Sequence, residues 1–208
     1  MPKKKFKKTI KRWKRYSKIS GVGSITRRYF VMNAFDGALT MLGVVIGAYV
    51  SGMINQPAVI ISAGIAGSIA MGASGVSGAY MTEKAERTKK MKKLEKAMLS
   101  EMKNGLHGKS HRFATIFAAI VDGASPALAA MIVISPFFIV NFGIITAQVA
   151  FFTSIIITLI VLSLLGIFLA KVSDESMIKY GILMLFVGLI TAFICVGTSI
   201  LLGGHLAL

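Results

Sequence analysis

The chain has 208 residues, of which 55% are hydrophobic, and its mean hydropathy is +0.73. The charged residues make up only 15% of the chain, yet they give it a net charge of +16. Five apolar segments exceed the roughly 18 residues that a membrane span requires. Because a soluble domain of this length could not bury five such helices, the composition excludes a soluble protein. It predicts an all-α polytopic membrane protein with five transmembrane helices.

The first 28 residues form a basic leader. Phe6, Ile10, Trp13 and Ser17 recur at the spacing of one helical face, and lysines and arginines fill the other faces. This pattern predicts an amphipathic cytoplasmic helix that lies on anionic lipid, with Trp13 at the interface. The alternative is that the charges only set the orientation of the chain. The membrane spans that follow argue against binding to nucleic acid.

The placement of Lys and Arg predicts the topology. Of the 24 basic residues, 12 lie in residues 1–28, 10 lie in residues 82–112, and the others are Lys171 and Lys179. With five spans, these segments fall on one side of the membrane, which the positive-inside rule makes cytoplasmic. The N-terminus is then inside and the C-terminus outside. The predicted segments are the leader 1–28, spans one and two in 29–81 (29–51 and 57–81), a cytoplasmic insert 82–112, spans three to five in 113–202 (113–134, 146–170 and 177–202), and an external tail 203–208.

Two aspartates lie inside these apolar spans, and each is followed by glycine. Asp36 occurs in AFDGALT and Asp122 in IVDGASP. A carboxylate at such a depth costs roughly 2.5 kcal/mol or more, so it is expected to face a partner, a cation or water. Asn33 and Thr40 share the helical face of Asp36, which favours a cation or proton site.

Asp122 has a competing architectural explanation. Pro126, four residues later, removes the normal helical donor to the Asp122 carbonyl, which leaves that oxygen free for a cation. The alternative is a proline kink with a neutral Asp122 bonded to another helix.

Spans one and three, which carry the two aspartates, are each followed by a short neutral turn and by a helix that returns to an acidic end. The two pairs therefore predict a parallel two-helix repeat with span five added.

The insert 82–112 predicts a helix over about residues 83–103 that is broken by Asn104-Gly105 and Gly108. Met91, Glu95, Met98 and Met102 share one of its faces, and Glu101 lies beside it. Carboxylates and thioethers together could hold Fe²⁺ or Mn²⁺. The alternative is an amphipathic helix that packs its Met and Leu side chains. Gly108 weakens any helical ligand pair between His107 and His111.

These motifs together resemble the vacuolar iron transporter family. The resemblance rests on the Asp-Gly of span one, the Met-Gly of SIAMGASG, the charged YMTEKAER and the five-span plan with one insert. It implies a homodimer whose first spans line a central passage. This dimer would move Fe²⁺ or Mn²⁺ out of the cytosol in exchange for protons. By position, Asp36 and Met71 match the ligand pair within the membrane. Glu83 and Glu86 match carboxylates at the cytoplasmic mouth, and Glu95, Met98 and Glu101 match the metal-binding insert.

The chain departs from that family at two places. Its insert is strongly basic with only four glutamates, and Ala73-Ser74-Gly75 stands where the family often has a carboxylate after the Met-Gly. The motifs and the resemblance together still predict eight metal residues, which are Asp36, Met71, Glu83, Glu86, Asp122, Glu95, Met98 and Glu101.

The expected function is divalent-metal export across the cell membrane, with the metal as substrate and no tightly bound cofactor. A scaffold that binds anionic lipid without transport, and a passive cation channel, are the alternatives. The sequence contains no hydrolytic or redox constellation, so no enzymatic activity is expected.

Overall fold

The computed structural model describes residues 13–99 and 105–203. Residues 13–20 are helical, and Trp13 is exposed with its ring 5.8 Å from that of Phe113. Phe6 and Ile10 of the predicted amphipathic leader lie outside the described residues. Five long helices follow: α1 (Val22–Val50), α2 (Pro57–Met98), α3 (Leu106–Asn141), α4 (Ala147–Ser173) and α5 (Met177–Leu201).

All five of these helices are long and apolar enough to cross a membrane. The prediction of an all-α membrane protein with five spans is therefore confirmed, and the chain is an integral membrane protein. A 3-10 helix, Met53–Asn55, connects α1 to α2. Gly52 and Gly143 adopt positive φ in the turns after α1 and α3, a conformation that glycine adopts without steric cost.

Helix boundaries differ from the predicted segment boundaries in the basic regions. Helix α1 begins at Val22, within the predicted leader, and α2 continues without interruption from Pro57 to Met98. A helix can leave the apolar layer without a break, so the predicted segments 1–28, 29–81, 82–112, 113–202 and 203–208 stay predictions. The predicted break at Gly108 is wrong, because this residue lies inside α3, two residues after the helix begins.

The chain divides into two compact units, which we describe separately. The Arg87 unit comprises Met1–Phe30 and Gly72–Ala124, and the Asp36 unit comprises Val31–Met71 and Ser125–Leu208. Buried aliphatic and aromatic side chains fill the Asp36 unit, with Leu42, Ile46 and Phe137 among the most completely buried. In the Arg87 unit, a small cluster of Val22, Ala114 and Ala118 packs against Phe113.

Candidate metal site

Asp36 lies at the midpoint of α1, with fourteen residues of helix on either side. Any stretch of about 20 residues of α1 that crosses the membrane must therefore include it. Ala34 and Ala38 are buried in the core of the Asp36 unit, whereas Asp36 is exposed on the opposite side of the helix. Among residues 13–99 and 105–203, no side chain forms a hydrogen bond or ion pair with its carboxylate.

The predicted polar face around Asp36 is partly open. Asp36 and Thr40 are exposed, and Asn33 is half-buried and engaged in an interaction of its own. Gly47 lies further along α1, and a Cβ atom built on it would contact nothing within 4 Å. A carboxylate on an open face of a membrane-length helix requires a counter-charge, a proton or water.

The packing around Gly37 explains why a glycine follows Asp36. A Cβ atom at Gly37 would collide with the backbone of Pro126, with its carbonyl oxygen nearest. Helices α1 and α3 therefore cross with their main chains in close contact, as small residues permit in membrane helices. This contact anchors the helix turn that carries Asp36.

Met71 belongs to the Asp36 unit and lies as far from the turn between α1 and α2 as Asp36 does. Asp36 precedes the end of α1 by fourteen residues, and Met71 follows the start of α2 by fourteen, which is roughly 21 Å of helix in each case. This register agrees with the contact between α1 and α2, where a Cβ atom at Gly67 would lie 3.2 Å from Met41 Cε. Met71 is half-buried and packs against the core cluster that contains Met41.

Asp122 has different surroundings, in the Arg87 unit. It is half-buried and already engaged in an interaction. A Cβ atom at Gly123 would collide with the carbonyl oxygen of Gly72 and lie 2.8 Å from the amide nitrogen of Val76. This second Asp-Gly therefore also marks a close helix crossing. Pro126 lies inside α3, as predicted.

The two glutamates at the predicted cytoplasmic mouth differ in exposure. Glu83 is buried, with Oε1 accepting a hydrogen bond from the Tyr29 hydroxyl at 3.1 Å and Oε2 paired with Arg87 Nε at 2.7 Å. Glu86 is exposed and pairs with Lys90 at 2.7 Å. The hydrogen bond from Lys90, with its positive charge, lowers the pKa of Glu86.

The predicted metal face of the insert is not uniform. Met91 is buried, Glu95 is half-buried and engaged in an interaction, and Met98 is exposed. Glu101 and Met102 lie outside the described residues. His107 and His111 both belong to α3, with His107 exposed and His111 half-buried. In the part of the chain that the structure describes, no three His, Cys, Asp or Glu side chains are grouped as metal ligands would be.

The sequence interpretation missed Arg87 and Tyr29 as partners of Glu83. The spacing of Glu83 and Arg87 at i and i+4 is a recognisable signal for a helical ion pair. Tyr29 gives no comparable signal, because 54 residues separate it from Glu83.

Comparison with known proteins agrees with this architecture. The family model of the VIT family, the vacuolar iron transporters, matches residues 82–199. The chain belongs to this family. It is also 35% identical, over 178 residues, to an uncharacterized protein of the archaeon Methanocaldococcus jannaschii. That alignment covers 83% of this chain and 88% of the relative. The resemblance inferred from the motifs is confirmed, and membership of this transporter family indicates metal-ion transport across a membrane.

Proposed function

We propose that this chain exports Fe²⁺ or Mn²⁺ from the cytosol in exchange for protons, and that Asp36 carries the exchange. The observation that supports this most strongly is the exposed carboxylate of Asp36, at the midpoint of α1 and without a partner among the described residues. An anion within the apolar layer of a membrane is costly, and either a proton or a bound cation removes that cost. One carboxylate can therefore alternate between the two.

Met71 would give the site its preference. Carboxylate oxygen suits hard divalent ions, whereas thioether sulfur favours softer transition metals. The equal distances of Asp36 and Met71 from the turn between α1 and α2 support their action at one depth. A metal site also needs more ligands than these two. We propose that a second copy of the chain supplies them across the exposed face of α1, so that the transporter is a homodimer.

Glu83 and Glu86 would act at the cytoplasmic mouth in different ways. Exposed Glu86 can attract cations directly, although Lys90 competes for its carboxylate. Glu83 would have to leave Arg87 and Tyr29 before it could bind a metal. Asp122, Glu95, Met98 and Glu101 are proposed as secondary ligands along the path. For Glu95, the surrounding lysines and arginines weaken this assignment.

Flux measurements on sealed vesicles test the proposal against a scaffold and a channel. The purified protein would be reconstituted with a metal indicator and a pH indicator inside, and Fe²⁺, Mn²⁺, Mg²⁺ and Ca²⁺ would be supplied outside. We expect Fe²⁺ or Mn²⁺ flux with opposite proton movement, accelerated by a proton gradient. Absence of flux would favour the scaffold. Metal flux that is indifferent to the proton gradient, without proton movement, would favour the channel.

The proposed direction of transport also requires the predicted orientation. The one-sided distribution of Lys and Arg predicts a cytosolic N-terminus, and five spans then predict an external C-terminus. A reporter that is active only in the cytosol should therefore be inactive when fused after the last residue. An active C-terminal reporter would contradict this orientation.

A further inference from the structure

A cavity of about 230 Å³ lies in the Arg87 unit, between the extension of α2 and the first turns of α3. Its volume is several times the ~30 Å³ that one water molecule occupies in the liquid. Four cationic side chains line it against the single carboxylate of Glu95, and these are Lys84, Arg87, Lys92 and Arg112. Such an excess of positive charge repels metal cations and attracts anions.

Arg87 is fixed in this cavity by its other contacts. Its Nε atom pairs with Glu83, and Nη1 donates a hydrogen bond to the carbonyl oxygen of Ser20 at 3.4 Å. The side chain is only 8% exposed. Its Nη2 atom is buried and has no hydrogen-bond partner in the described part of the chain. A buried donor without a partner is unfavourable, so this nitrogen favours an acceptor that enters the cavity.

His111 contributes a second unpartnered nitrogen to the same cavity. Its Nδ1 atom is buried and lacks a hydrogen-bond partner within residues 13–99 and 105–203. Burial lowers the pKa of His111, and the positive charge of Arg87 lowers it further, with smaller contributions from His107 and Lys90. The main chain of Arg87 acts in the opposite direction. An anion in the cavity would offset the positive charges and favour the protonated ring, in which Nδ1 is a donor.

We propose that this cavity binds a phosphate group, presented either by an anionic phospholipid headgroup or by a soluble phosphate. Arg87 Nη2 and protonated His111 donate to its oxygens from the buried side, and Lys92 and Arg112 supply charge at the exposed side. The hydroxyl groups of Thr88 and Thr115 also line the cavity, but each donates to the carbonyl oxygen four residues earlier, to Lys84 at 2.6 Å and to His111 at 3.0 Å. Thr115 and Arg112 flank the predicted start of span three, which is the depth of phospholipid headgroups. The proposal does not depend on metal transport.

The test uses two double variants that remove the same charge from the same two helices. Lys92→Gln/Arg112→Gln removes two cations that line the cavity. The control, Lys93→Gln/Lys109→Gln, removes two exposed cations outside it. Inorganic phosphate would be titrated into the full-length protein in detergent by calorimetry. In parallel, nanodiscs of phosphatidylcholine with or without phosphatidic acid would be analysed for retained lipid by native mass spectrometry.

The expected result is binding by the wild type that weakens about tenfold or more in the cavity variant and less than about threefold in the control. In the cavity variant, loss of inorganic phosphate binding would identify a soluble ligand, whereas selective loss of phosphatidic acid binding would identify a headgroup. Equal losses in both double variants would overturn the proposal. It would also be overturned if the wild type bound neither inorganic phosphate nor phosphatidic acid. If the cavity variant fails to fold, Lys84→Gln on α2 is compared with the single control Lys93→Gln on the same helix.

Proton uptake distinguishes a built site from general attraction by positive charge. Sulfate is a useful probe because it does not titrate near neutral pH. Its binding should tighten as the pH falls through the pKa of His111 in the complex, and His111→Gln should remove most of this dependence. A pH dependence that is unchanged in His111→Gln would contradict the role given to this residue.

Discussion

Asp36 and Asp122 share the sequence Asp-Gly within apolar helices, but their surroundings differ. Gly37 and Gly123 both lie against the backbone of another helix, at Pro126 in the Asp36 unit and at Gly72 and Val76 in the Arg87 unit. Asp36 is exposed and has no partner in the described part of the chain, whereas Asp122 is half-buried and engaged. The glycine therefore serves packing in both motifs, and the different environments of the two aspartates, not the shared motif, are the reason to propose Asp36 as the carrier.

The largest loss of stability is expected when either glycine gains a methyl group. Gly37→Ala and Gly123→Ala should each destabilise the fold by about 3 kcal/mol, because the new Cβ meets backbone atoms that cannot rotate away. Thermal unfolding in detergent would measure this. Gly47→Ala is the matched control in α1, since nothing lies within 4 Å of its Cβ position. Equal melting temperatures for Gly37→Ala and Gly47→Ala would show that the helix crossing is not tight.

A smaller loss is expected from Glu83→Gln in the Arg87 unit. The amide retains the shape of the side chain but loses the charge that pairs with buried Arg87, which should cost about 2 kcal/mol. The comparison is Glu86→Gln, whose partner Lys90 is exposed, so its melting temperature should not change measurably. Identical melting temperatures for the two variants would mean that Glu83 is not held by this network, and would strengthen its proposed role as a metal ligand.

The smallest effect is the pH dependence contributed by His111. Its pKa in the folded chain is lowered by burial and by Arg87, so the unfolded chain binds the proton more tightly. Stability should therefore be fully present above the ordinary pKa of 6.5, and fall as the pH decreases through the lower pKa of the folded chain. In phosphate-free buffer, His111→Gln should lose less stability on acidification than the wild type. A steeper loss in the variant would contradict the sign of this shift.

The sequence was sufficient for the five spans, because apolar length and segregated charge are local properties. The sequence was not sufficient to predict both partners of Glu83. The pairing with Arg87 is local, but the hydrogen bond from Tyr29 depends on which helices are neighbours. The same limitation left Asp36 and Asp122 with similar predictions, because burial and partners are tertiary properties.

The break predicted at Gly108 failed for a related reason. Gly108 is the third residue of α3, and even in a helix interior glycine costs only about 1 kcal/mol. His111 belongs to α3 and lines the same cavity as Arg87. The cavity forms where α2 continues beyond its apolar part, and no local pattern in the insert indicated it.

The most direct test of the central claim compares metal flux by Asp36→Asn and Asp122→Asn in vesicles that hold equal amounts of protein. The amide keeps the shape of each side chain and removes its charge and its titratable proton. We predict that Asp36→Asn abolishes Fe²⁺ or Mn²⁺ flux while the protein stays folded and keeps the oligomeric state of the wild type, and that Asp122→Asn causes a smaller loss. Flux by Asp36→Asn equal to that of the wild type would contradict the proposal that this carboxylate carries the ion.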